Sequence, residues 1–102
     1  MAIFVVNKRT FKGDGVYVGR PSVLGNPFEM KSEADRERVI REYRGWLWER
    51  VQERGKVFAE LLRIKRLAEQ GDVHLICWCP PAKCHSEVVR ACVEWMISAG
   101  VE

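Results

Sequence analysis

Three of the four cysteines fall between positions 77 and 84, in the run Cys77-Trp78-Cys79-Pro80-Pro81-Ala82-Lys83-Cys84-His85. If Cys77 and Cys79 lie on a strand, their side chains share one face. A tight Pro-Pro-Ala-Lys turn then folds Cys84 and His85 back beside them. Two chemistries suit such a cluster. In the first, Cys84 and His85 are catalytic: a helix N-terminus favours the thiolate, Lys83 adds positive character, and His85 acts as acid or base. Cys79 then serves as a resolving thiol. In the second, Cys77, Cys79, Cys84 and His85 form a tetrahedral metal set, with zinc as the expected ion. The C-x-C spacing and the adjacent Cys-His pair depart from the usual separated zinc pairs. A third reading needs no chemistry: the cysteines pack as small buried hydrophobes, with Trp78 on the opposite strand face. The residues alone leave all three open.

A second candidate is the loop Gly19-Arg20-Pro21-Ser22-Val23-Leu24-Gly25-Asn26-Pro27-Phe28. Arg20 offers a planar fork for phosphate or carboxylate, and Asn26 an amide. Gly25 lets a ligand approach the backbone. Read without a ligand, the segment is a turn leading into a helix, with Phe28 as its anchor. Lys8, Arg9, Lys12 and Arg20, interleaved with Phe11 and Tyr17, would equally suit a basic, aromatic nucleic-acid strip or a solvated hairpin.

The elements that must position these groups follow from periodicity. Ile3 to Val6 reads as a strand, Lys12 to Gly15 as a turn, and Val16 to Val18 as a second strand, which predicts an antiparallel hairpin. Ser32 is a candidate N-cap. Val39, Ile40, Tyr43, Trp46, Leu47 and Val51 then form one helical stripe that stops at Gly55. A second helix turns Val57, Phe58, Leu61, Leu62, Ile64, Leu67 and Ala68 inward and ends near Gly71. Val73 to Cys79 reads as a buried strand terminated by Pro80-Pro81. From about Ser86 a third helix presents Val88, Val89, Cys92, Trp95 and Met96, closed by Gly100. The expected fold is α/β (or α+β), a small two-layer or three-layer domain of order ββααβα over residues 1–102. It combines an N-terminal hairpin with a strand–loop–helix unit, the place where open α/β sheets hold ligands.

At 102 residues, 47% of them hydrophobic and 30% charged, the composition is globular and excludes a disordered chain. A net charge of +3 permits an anion-binding patch and excludes a histone-like polycation. No apolar run approaches the ~20 residues of a membrane span, so no membrane partner is expected. The start carries no secretory pattern, which makes a cytoplasmic setting the expectation and favours metal or redox chemistry over disulfides. Aromatic residues among Trp46, Trp48 and Trp95 are candidates for a homodimer face.

Val16-Tyr17-Val18-Gly19-Arg20, Leu24-Gly25-Asn26-Pro27-Phe28, Tyr43 to Leu47, and Leu75 through Cys79-Pro80 to Cys84-His85 together resemble the bacterial and phage family called domain of unknown function 4326 (DUF4326). The likeness runs from about Val16 to the end of the last helix. Family members continue with Gly-Asp after the His, where this chain has Ser86-Glu87. The resemblance implies that Arg20, Asn26 and the Cys/His block belong to one site. The leading expectation is a domain that binds or acts on a phosphate-bearing, nucleotide-like ligand there. The alternative is a zinc-stabilised module for nucleic acid or protein.

Overall fold

The computed structural model describes residues 2–79 and 84–102. The strand-terminating role read for Pro80-Pro81, and the charge of Lys83, lie outside the described residues. The elements are β1 (Ile3–Asn7), β2 (Val16–Tyr17), a 3₁₀ turn (Glu33–Asp35), α1 (Arg36–Glu53), α2 (Lys56–Gln70), β3 (Val73–Cys77) and α3 (His85–Ala99). Ser32 caps the 3₁₀ turn without a side-chain hydrogen bond.

The ββααβα order is observed, but the hairpin is not. The sheet order is β1-β3-β2, and both outer strands pair with β3 in parallel: Ile3 lies opposite Val73, and Val16 opposite Leu75. The Lys12–Gly15 turn therefore does not reverse the chain between paired strands. Residues 8–15 instead return across one face of β3. There Phe11 stacks on His74 at 4.6 Å, and Phe4 stacks on the same ring at 5.0 Å. Gly15 is needed for the crossing, because a Cβ there would stand 2.5 Å from the His74 carbonyl oxygen. β2 is short because only two residues of this returning chain reach register, although the Val18 amide adds one more bond to Ile76 O.

The other face of β3 carries Val73, Leu75 and Cys77, all buried in the main core. Alternation on β3 thus selects one face for the helices. α2 and α3 pack against the strands, and α1 packs on both of those helices. α1 buries Val39, Tyr43, Leu47 and Val51, spaced four apart along one stripe. It stops one residue earlier than Gly55 suggests: Arg54 takes the left-handed conformation (φ 55°), and Gly55 becomes the N-cap of α2.

Two inward assignments are corrected. On α2, Leu67 is exposed, and Lys65 is buried in its place, with its ammonium 3.2 Å from Glu69. On α3, Val93 enters the core and Trp95 faces out, edge-on to Trp48 with ring centroids 5.4 Å apart. The stripes themselves are as read; the true buried faces are rotated by part of a turn. None of the helices formed by the described residues is long and apolar enough to cross a membrane.

Candidate functional site

β3 ends at Cys77 and α3 begins at His85, so Cys84 falls at the N-cap of α3, directly beyond the carboxyl end of the central strand. A cap residue must satisfy amide groups that have no partner within the helix. Here the Cys84 sulfur accepts from the backbone of the first turn, while Glu87 reaches back to the Cys84 amide at 3.3 Å, closing a capping box. The fold thereby places a sulfur where a helix concentrates unpaired N–H groups.

Around that sulfur the contacts are close. Cys77 Sγ lies 3.0 Å from Cys84 Sγ, and His85 Nδ1 lies 3.4 Å from it. His85 Nε2 stands 2.7 Å from the Val18 carbonyl oxygen, so this nitrogen carries the proton and donates it. Nδ1 then faces the Cys84 sulfur, and it donates to that sulfur only when it too carries a proton. Ser86 beside it is fully buried, and its hydroxyl has no partner at hydrogen-bond geometry among the described residues. The Cys84 thiol is held well below its ordinary range: the Cys77 thiol contributes most, against the opposing effect of burial, and the neighbouring His85 and Ser86 add less. Cys77 is pushed the other way, because it donates to Cys84 and is buried.

Cys79 lies at the edge of the cluster. Burial and the nearby Cys84 charge push its thiol up, while Arg36 draws it back. Tyr43 closes the cluster from α1, with its ring 5.0 Å from that of His85 and its buried hydroxyl donating to Leu24 O at 2.6 Å. That bond ties the Arg20 loop to α1. Cys92, expected to be an ordinary packing residue, is half-buried on α3, and burial alone pushes its thiol up to about 11.

A cavity of about 390 Å³ opens over the cluster, lined by Cys77, Cys79, Cys84 and His85 below and by Tyr17, Arg20, Asn26, Phe28, Arg36 and Trp78 around its sides. The volume falls in the range of small-molecule sites. Of the residues singled out in the sequence, Arg20, Asn26, Cys77, Cys79, Cys84 and His85 are brought together here. Gly25 is not among the cavity's lining residues. A Cβ on it would come within 3.1 Å of the Arg20 backbone, so its role is to let the loop close on itself.

Arg20 is partly committed to its own loop, with Nε donating to Asn26 O at 2.6 Å and Nη2 to Phe28 O at 2.9 Å. Asn26 accepts the Phe28 amide through Oδ1 at 2.8 Å. The fork and the amide therefore shape the cavity wall before any ligand is considered.

Sequence reasoning missed Arg36 and misplaced Trp78. Arg36 reads as one charge among many on a mixed helix, where it pairs with Glu33 at 2.7 Å, and nothing local marks its approach to Cys79. Trp78 lies just beyond the end of β3 and is half exposed at the cavity mouth. Its ring N–H donates to the Tyr17 hydroxyl at 3.2 Å, and its carbonyl accepts from Asn7 at 2.9 Å. Lys8 stands over both the Tyr17 and Trp78 rings, and Arg9 over Trp78. Part of the expected basic, aromatic strip thus gathers at this rim, whereas Phe11 turns away to His74.

The Cys77 and Cys84 sulfurs and one His85 ring nitrogen lie within 4.8 Å of one another, a set that could hold a metal ion. The chain matches no curated relative and no solved structure. One family model covers residues 6–95, nearly all of the chain and both halves of the cavity. The chain belongs to the family described as domain of unknown function (DUF4326).

Proposed function

We propose that the protein binds a phosphate-bearing, nucleotide-like small molecule in the cavity and acts on it through Cys84, with His85 as the proton partner. The observation that carries this reading is the Cys84 sulfur. It sits at the N-cap of a helix, 3.0 Å from Cys77 Sγ and 3.4 Å from His85 Nδ1, and it lines a ligand-sized cavity. A buried thiol that served only as packing would need neither the close Cys77 sulfur nor the imidazole beside it. Above it, the fixed Trp78 ring and the cations Lys8 and Arg9 suit a planar ring carrying an anionic group.

The test is alkylation of the reduced protein with iodoacetamide, read site by site by mass spectrometry. Cys84 is expected to react first, and nucleoside monophosphates are expected to slow it more than the corresponding nucleosides. Trp78→Ala should lose that protection while its melting temperature stays near wild type. If Cys84 reacts no faster than Cys92, or if no nucleotide protects it, the reading fails.

The convergence of the three ligand atoms favours a second reading, a zinc-stabilised module with Cys77, Cys84 and His85 as ligands. The bond from His85 Nε2 to Val18 O is the kind of support that metal-bound imidazoles receive. Cys79 would complete the set only by turning inward. On this reading the purified, reduced protein carries one equivalent of zinc and a chelator unfolds it. Absence of metal, together with a freely reacting Cys84, would rule it out.

A further inference from the structure

The mutual placement of Cys77 and Cys84 carries a consequence beyond ligand binding. We infer that the two cysteines form a redox pair, which a hydroperoxide converts to a disulfide that switches the site off. The two sulfurs are 3.0 Å apart, so bond formation requires an approach of only about 1 Å to the ~2.05 Å of a disulfide. Cys77 is anchored on the central strand and Cys84 at the N-cap of α3, both buried and both lining the cavity. An oxidant the size of hydrogen peroxide can enter the cavity, which both sulfurs line. Cys79 is the other nearby thiol; it is influenced by both Cys84 and Arg36, but it lies outside the close trio. The geometry therefore assigns the resolving role expected of Cys79 to Cys77.

The chemistry balances without a cofactor. The Cys84 sulfur attacks hydrogen peroxide, the O–O bond breaks and Cys84 becomes a sulfenic acid; the leaving hydroxide becomes water by taking back from solvent the proton that the Cys84 thiol gave up. The Cys77 sulfur then attacks Cys84 Sγ. The S–O bond breaks, the S–S bond forms, and the Cys77 proton leaves with the hydroxyl as a second water. Two thiols are oxidised and one peroxide is reduced to two waters. Oxidation removes the sulfur that the proposed chemistry needs, so the switch rests on that reading for its consequence but not for its formation.

The test uses the full chain, reduced and then treated with hydrogen peroxide, with intact mass and peptide mapping as readouts. A Cys77–Cys84 disulfide, marked by loss of two hydrogens and reversed by dithiothreitol, is the expected result. In Cys77→Ser, a Cys84 sulfenic acid trapped by dimedone should replace it, and Cys79→Ser should behave as wild type. Three results would each overturn the inference: no oxidation of Cys84, a Cys84 sulfinic acid formed without a disulfide in the wild type, or a disulfide from Cys79 to Cys84. Its failure is distinguishable from failure of the ligand reading. Fast alkylation of Cys84 with nucleotide protection but no disulfide refutes the pair alone. A reversible disulfide without nucleotide protection refutes the ligand reading alone.

Discussion

Replacing Cys77 with Ala removes the largest single support for the Cys84 thiolate, and the size of the effect follows from the structure. The Cys77 thiol donates to Cys84 across 3.0 Å in a buried setting. A hydrogen bond to a charged group contributes about 1.5–3 kcal/mol. One pKa unit corresponds to about 1.4 kcal/mol, so Cys77→Ala should raise the midpoint of Cys84 ionisation by about 1–2 units. His85, Ser86 and the helix N-terminus remain, so the midpoint should still lie below that of an ordinary thiol. Because folding lowers the pKa of Cys84, its ionisation stabilises the native state fully above the unfolded thiol's pKa. That stabilisation is lost as pH falls toward the folded value. The assay is the iodoacetamide rate at Cys84 against pH. In the wild type it should stay flat well below pH 8, whereas an unperturbed thiol slows about tenfold per unit below its pKa of about 8.5. Cys77→Ser restores a donor and should return the midpoint most of the way. Equal midpoints in the wild type and Cys77→Ala would refute the claim that Cys77 holds the charge on Cys84.

The remaining predictions concern the scaffold. Tyr43→Phe removes the buried donor to Leu24 O and should cost about 1–3 kcal/mol in urea unfolding; a loss near zero would mean that this bond does not hold the Arg20 loop to α1. Gly15→Ala sets a Cβ against the His74 carbonyl, and a loss of about 1–3 kcal/mol is expected; full stability would contradict the close crossing of residues 8–15 over β3. Lys65→Met should be neutral or stabilising in thermal melts, since the change removes a buried ammonium whose partner Glu69 is half exposed; a loss of several kcal/mol would show the ion pair to be structural.

The identity and order of the elements were legible because each is a local pattern. The apolar stripes of α1 to α3 and the β-branched runs of β1 and β3 depend on neighbours a few residues away. Pairing does not. Lys12-Gly13-Asp14-Gly15 has the composition of a hairpin turn, and only the insertion of β3 between β1 and β2 makes the sheet parallel. β3 is contributed from more than fifty residues further along the chain. The inward reading of Trp95 rather than Val93, and of Leu67 rather than Lys65, fails for a related reason. A stripe gives the direction of a face, but its edges are set by the elements that pack against it.

The candidate site divides along the same line. Cys77, Cys84 and His85 were legible as a cluster because a strand end and a helix start bracket them within a few residues. Arg20 and Asn26 joined them through the resemblance, and the structure adds what the resemblance could not supply, namely that both are partly spent on shaping their own loop. The departure at Ser86-Glu87 proves most informative. With glycine and aspartate at these positions, the buried hydroxyl beside Cys84 would be absent and the capping carboxylate one carbon shorter. In this chain Glu87 reaches the Cys84 amide at 3.3 Å. An acid at position 87 therefore suffices to close the capping box at the start of α3, where the Cys84 sulfur sits 3.0 Å from that of Cys77.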